Sequence, residues 1–195
     1  FDLIQKKILS SNIYHFIDTT FIEKHNDRIK RLALARETLK ENLVKLQIKS
    51  KYVCVIDLDD VINESFNLNL LERLIFTLNE EHEKYFAVSL SSKPYYYDIL
   101  NFESCEFPNK SIKQLQNNKS INSYKQRREF IYKTQKLMSN KKNFECISGF
   151  NGLCLYNYKD YISSKYYEDN EDQTPEHLLF NRYLNKKLKK KILVT

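Results

Sequence analysis

Three carboxylates stand within four residues at Asp57, Asp59 and Asp60, directly after the apolar run Tyr52–Ile56 (YVCVI). Like charges this close raise one another's pKa and repel, so they call for a positive partner. A hard divalent cation, Mn²⁺ or Mg²⁺, prefers such oxygens. In extended backbone Asp57 and Asp59 point to one side, with Leu58 between them facing away, so both acids can meet one ligand. The competing use is local, since Asp60 or Asn63 can cap a following helix. Two arginines, Arg28 and Arg36, lie eight residues apart in a helical pattern, about 80° round the axis, and can face one edge. Their forked guanidinium groups suit phosphate or carboxylate. The only glycines, Gly149 and Gly152, sit three apart between two β-rich runs, in Ser148-Gly149-Phe150-Asn151-Gly152. A chain that spends two glycines in this way needs them for backbone geometry. Glu176 and His177 follow Pro175 at a helix start, where the dipole favours an ionised glutamate, as a base requires.

The elements that must hold these residues follow from periodicity. Residues 3–10 are expected to form a short amphipathic helix and 12–18 a strand. Ile29, Leu32, Ala35, Leu39, Leu43 and Leu46 recur at spacings of three and four, which predicts a helix from Asp27 to about Ile48, capped by Asn26 or Asp27. Residues 52–56 are expected to be a central strand buried on both faces. A helix over 65–79 and a second buried strand over 85–91 follow, then Pro94 and the aromatic cluster Tyr95, Tyr96, Tyr97 with Asp98. Residues 107–125 are polar and read as an irregular excursion. Helix resumes over 125–139, the glycine segment occupies 144–158, and 161–173 is acidic and polar. A helix over 175–190 and a last strand over 191–195 close the chain. Alternating strands and helices predict an α/β three-layer sandwich, in which ligands bind at the carboxyl ends of strands. Asp57 lies at such an end.

Composition removes other classes. The 195 residues suit one domain, spanning 1–195, with a core that needs no disulfide or structural zinc. Two glycines leave no room for a P-loop or GxGxxG cradle. Hydrophobic residues at 42% exclude disorder. Cys54, Cys146 and Cys154 lie in apolar runs without any CxxC spacing, and are expected to be reduced, mostly buried thiols. No apolar run reaches the length of a membrane span, so a cytoplasmic or membrane-peripheral location is expected. The net charge of +7 rests on 25 lysines against 7 arginines, beside 19 asparagines and 14 tyrosines. That mixture looks like the product of an AT-rich genome or a virus. The basic tail Lys186–Lys191 and the scattered tyrosines leave a nucleic-acid-binding module as an alternative, but no RNA-binding signature accompanies them.

Two families carry an acidic motif of this kind after a buried strand. Val55-Ile56-Asp57-Leu58-Asp59-Asp60-Val61-Ile62 resembles the first motif of haloacid-dehalogenase-like phosphatases, which would make Asp57 a nucleophile and Asp59 a general acid. It equally resembles the D-x-D motif of GT-A glycosyltransferases, and the flanks favour the latter. Arg28-Ile29-Lys30-Arg31-Leu32-Ala33-Leu34-Ala35-Arg36-Glu37-Thr38-Leu39 is similar to the R-x-x-x-L-A-x-x-R-N-x-x-L helix that stands one strand before D-x-D, with Glu37 where asparagine is usual. Tyr96-Tyr97-Asp98 resembles the family's Y-D segment, Ser148–Tyr156 its glycine loop, and Glu176-His177 its E-H helix start. The resemblance covers roughly residues 12–100 and 144–182. It is nearest to small transferases of the fungal capsule-associated and large-DNA-virus kind, in which a first nucleotide-binding strand lies upstream of the segment beginning at Phe1.

The resemblance implies a GT-A (Rossmann-like) sandwich with a mostly parallel central sheet, within a chain that can carry further domains. It implies sugar transfer from a UDP- or GDP-linked donor to a glycan or other hydroxyl acceptor. Asp57 and Asp59 would hold Mn²⁺ or Mg²⁺. Arg28, Arg36, Asp57, Leu58 and Asp59 would bind the donor nucleotide, and Tyr97, Asp98, Gly149, Asn151 and Gly152 the donor sugar. Glu176 would be the catalytic base of an inverting enzyme or position substrate in a retaining one. His177 would be a further metal ligand or an acceptor contact.

Overall fold

Asp27 has extended backbone, and its carboxylate accepts from the N–H groups of Ile29 and Lys30, satisfying donors a helix start leaves open. Helix α1 runs from there as Arg28–Lys45. In the computed structural model, residues 17–47, 50–57, 68–104, 124–166 and 174–195 are described. The remaining described helices are α2 (Leu68–Glu80), α3 (Tyr124–Asn140), α4 (Tyr158–Ile162) and α5 (Glu176–Leu188). The strands are β1 (Tyr52–Ile56), β2 (Tyr85–Ser89), β3 (Phe102–Glu103), β4 (Phe144–Cys146), β5 (Ser148–Gly149), β6 (Leu153–Asn157) and β7 (Lys191–Val194). The expected helix over 3–10, nearly all of the strand over 12–18 and residues 107–123 of the excursion fall outside the described residues, while Tyr124 and Lys125 open α3 rather than end an irregular segment. A 3₁₀ turn, Thr20–Lys24, precedes α1.

Five strands form one sheet in the order β1-β6-β2-β7-β4, and β3 pairs with β5 in a second, two-stranded sheet. Strand β6 is antiparallel to both β1 and β2, and β4 is antiparallel to β7. Among the described strands only β2 and β7 pair in parallel. The sheet is therefore mixed, not mostly parallel. Strand–helix alternation suggests crossover connections, but β4, β5 and β6 follow one another with no helix between them to carry the chain across.

Alternation along the strands divides the core between the two faces of the sheet. Leu153 and Leu155 of β6 join Val88, Leu74 and Leu78 beneath α2. Cys154 and Tyr156 face the other way, into a larger cluster with Phe86, Phe180, Leu184, Ile192 and Val194, where α5 packs. Met138 of α3 is buried in that cluster, and Leu43 of α1 packs against it. Helices thus cover both faces, the layering expected of an α/β protein.

Strand β1 corrects a second expectation. Among the described strands it is the sheet edge, with Cys54 and Ile56 exposed, rather than a central strand buried on both faces. An apolar β-rich run specifies a strand but not how many neighbours it has. Cys54 is accordingly an exposed thiol, while Cys146 and Cys154 are buried and free as expected. Among the described residues no helix is long and apolar enough to cross a membrane.

Strands β1, β2 and β7 point the same way, so their carboxyl ends share one edge of the sheet. The loop that enters β6 lies on that edge, because Ile56 is paired with Leu153 and Ser89 with Cys154.

Candidate functional site

A cleft of about 640 Å³ opens at this edge. Arg28, Leu32 and Arg36 of α1 line it beside Asp57, which follows β1. Tyr97, Asp98 and Asn101 come from the segment after β2, and Pro175, Glu176 and His177 from the start of α5.

Arg36 organises the charges. Its Nη2 donates to Asp57 Oδ1 at 2.8 Å and its Nε to Glu176 Oε1 at 3.0 Å. These partners lie 21 and 140 residues from it in sequence. Burial opposes the guanidinium charge, but Glu176 and then Asp57 more than offset this and hold its pKa above the usual value. Phe150 stacks beneath, its ring centroid 5.6 Å from the Arg36 guanidinium carbon.

Asp98 is the third carboxylate. Burial raises its pKa to about 6, the Asn101 hydrogen bond opposes that rise, and the charges of Glu176 and Asp57 add to it. Three carboxylates, Asp57, Asp98 and Glu176, thus share the cleft with Arg28 and Arg36. Asn101 Nδ2 donates to Asp98 Oδ2, while its Oδ1 accepts the N–H of Leu178 at 3.1 Å. Ser148 Oγ donates to the Asn101 carbonyl, Asn181 donates to Ser148 Oγ, and the Tyr156 hydroxyl donates to Asn181. A buried polar chain thus runs from β6 through α5 to Asp98. Sequence reasoning missed Asn101 and Asn181 as parts of this site and named Ser148 only within the glycine segment, because a polar residue between apolar ones carries no periodic signal.

Asn151 is a brace. Its Oδ1 accepts the N–H of Asp98, and its Nδ2 donates to the Leu90 carbonyl and to Ser92 Oγ. Gly152 has φ of 82°, in the left-handed region that favours glycine, and its carbonyl accepts the N–H of Asp57 at 2.9 Å. Gly149 is required by the core: a Cβ there would lie 2.5 Å from Cys146 Sγ and 2.9 Å from a Val194 methyl. The loop therefore positions Asp57 and Asp98 through its backbone and its asparagine.

His177 is fully buried, stacked on Phe150 with centroids 3.6 Å apart and with the Tyr166 ring edge-on. Neither ring nitrogen has a hydrogen-bond partner among the described residues. Burial first, and Arg36 second, hold its pKa well below the usual value, so the ring is neutral. Glu37, which stands where the resemblance leads one to expect asparagine, pairs with the buried Lys40 at 2.8 Å and accepts the N–H of Tyr166. It ties α1 to the segment after α4. Arg28 is exposed at the cleft and has no ion pair among the described residues.

The structure thus brings together Arg28, Arg36, Asp57, Tyr97, Asp98, Glu176 and His177, with Asn151 and Gly152 supporting from behind. Leu58, Asp59 and Asp60 lie outside the described residues. Among the described residues no group of three or more His, Cys, Asp and Glu side chains is arranged to hold a metal ion. Asp57 is the one carboxylate of the acidic motif among the described residues, and it lines the cleft as the oxygen donor that could meet a hard cation there. Comparison of the chain with family models, curated proteins and solved structures finds no match.

Proposed function

We propose that the chain is a metal-dependent GT-A-type glycosyltransferase, moving a sugar from a nucleotide-linked donor to a hydroxyl acceptor. One observation carries the reading: Arg36 bridges Asp57 and Glu176 in a cleft that Asp98 also enters, at the edge where β1, β2 and β7 end. Residues from four distant segments converge there, as a reaction needing a charged donor and a deprotonated acceptor requires. Arg36 is engaged by two carboxylates, so we assign the donor phosphates to Arg28, the cation at the cleft without an ion pair among the described residues. Asp57, with Asp59, would hold Mn²⁺ or Mg²⁺, which when bound supplies neutralisation for the leaving diphosphate. Glu176, oriented by Arg36, is the carboxylate assigned to the acceptor hydroxyl, and Asp98 with Tyr97 is assigned to the donor sugar. His177, a neutral imidazole beneath them, completes the wall.

A thermal-shift series with UDP- and GDP-linked sugars, each with and without Mn²⁺, tests the reading. At least one donor should raise the melting temperature only when the metal is present, and Arg28→Ala should abolish that rise. A panel of donors that leaves the melting temperature unmoved, beside hydrolysis of a simple phosphate ester that Asp57→Asn abolishes, would replace this assignment by the phosphatase one.

A further inference from the structure

We propose that Tyr95 and Tyr132 form a stacking shelf that binds a sugar ring of an oligosaccharide acceptor, next to the ring whose hydroxyl enters the cleft. The inference rests on the transferase reading for the word acceptor, and on the geometry below for the word sugar.

The two rings lie 4.8 Å apart at 47° to one another, with their hydroxyls hydrogen-bonded. Tyr95 is 36% exposed and Tyr132 48%, and Tyr97 and Leu100 are 42% and 49% exposed. A single exposed tyrosine is ordinary, whereas these four come from one loop and the helix beside it. The same two segments reach the cleft, because Tyr97 and Leu100 of the loop and Ile131 of α3 line it.

The shelf is also held still. The Tyr96 N–H donates to the Gln135 carbonyl, and Gln135 Nε2 donates back to the carbonyls of Tyr96 and Tyr97. Ser139 Oγ donates to the Ser92 carbonyl, and the Tyr97 N–H donates to Ser92 Oγ. Asn151, the brace of Asp98, donates to that same Ser92 hydroxyl. One loop therefore fixes the shelf and the cleft carboxylate together, so a chain bound on the shelf is registered against the site without a further ordering cost.

The chemistry selects the occupant. Tilted tyrosine faces offer apolar area to the C–H side of a pyranose, and their hydroxyls offer donors and acceptors at its rim. A stable protein partner needs about 800 Å² and some twenty residues on each side, far more than four side chains supply. A membrane surface is drawn to aliphatic and Trp-rich faces with clustered cations, and three of these four side chains are tyrosines.

Isothermal titration with maltotriose, cellotriose and mannotriose tests the shelf on the chain as it stands. At least one trisaccharide should bind, more tightly than its monosaccharide. Tyr132→Ala should weaken that binding by about fivefold or more, Tyr95→Ala likewise, and Tyr132→Phe should restore it, because the ring rather than the hydroxyl provides most of the contact. Melting curves confirm that each variant is folded. Failure of all three sugars to bind overturns the proposal, as does undiminished binding by both alanine variants, or binding of phosphatidylserine vesicles in their place. The Mn²⁺-dependent donor shift, measured in parallel, should be unchanged in Tyr132→Ala. Should that shift be absent from the unmodified chain while a trisaccharide still binds the shelf, the transferase assignment falls and the sugar shelf stands.

Discussion

Replacing Arg36 by methionine keeps the length and apolar stem of the side chain and removes its charge, leaving Asp57, Asp98 and Glu176 facing one another. The Glu176 side chain is only 6% exposed and Asp57 is 19% exposed. Removing one partner of a buried pair costs about 3–5 kcal/mol, because the remaining charge keeps its desolvation penalty. Asp57 can recover some hydration and Glu176 cannot. The expected loss is therefore toward the lower end, about 3 kcal/mol, with Glu176 responsible for most of it. The diagnostic is a second variant. Arg36→Met with Glu176→Gln removes the stranded charge and should recover more than half of the loss, although each change alone destabilises. Urea unfolding followed by circular dichroism measures all four proteins. A loss below about 0.5 kcal/mol for Arg36→Met, or a double variant as unstable as the sum of the two singles, would refute the account of Arg36 as the counter-charge of this cleft.

Asp98→Asn should raise stability at pH 7. The Asp98 pKa is raised to about 6 from 3.8, so its ionised form penalises the folded state above about pH 6 and the penalty disappears as pH falls below about 4. The shift converts to at most about 3 kcal/mol, and the stability gap between variant and parent should close across that window in pH-resolved melting curves. Gly149→Ala should cost about 2–3 kcal/mol, since its Cβ meets Cys146 Sγ and Val194, and adding Cys146→Ala should return part of it in the same urea assay. Glu176→Gln should lower turnover by about 10² or more while leaving donor affinity nearly unchanged, if its carboxylate takes the acceptor proton; near-normal turnover in steady-state kinetics would reduce it to a structural partner of Arg36.

Local signals carried the elements well and the neighbourhoods poorly. Asp27 was readable as a cap, the leucine spacing as α1 and YVCVI as a strand, because each depends only on nearby residues. The place of that strand at the sheet edge was not readable, since β1 finds its one described neighbour, β6, about a hundred residues later. For the same reason the sequence pointed to Arg36 and Glu176 separately but not to the bond between them. Glu37 shows the limit in another way: the sequence marked it only as a glutamate where asparagine is usual, and its pairing with Lys40 and the Tyr166 N–H came from the fold. The glycines were rightly read as geometric needs, but their geometry serves the core at Gly149 and the Asp57 N–H at Gly152.

The insertion of β6 between β1 and β2 has a consequence for how the chain is made. On the ribosome β1 and β2 emerge early, yet neither touches the other, and both await residues 153–157. Until then these two strands have no described partner to pair with, a state that invites association with other chains. Among the described strands the sheet closes only when β6 slots in and β7 follows, making long-range closure the slow event of folding. Protease protection of ribosome-arrested chains should therefore rise in one late step, after residue 157 clears the exit tunnel, and a gradual rise from residue 90 onward would contradict it.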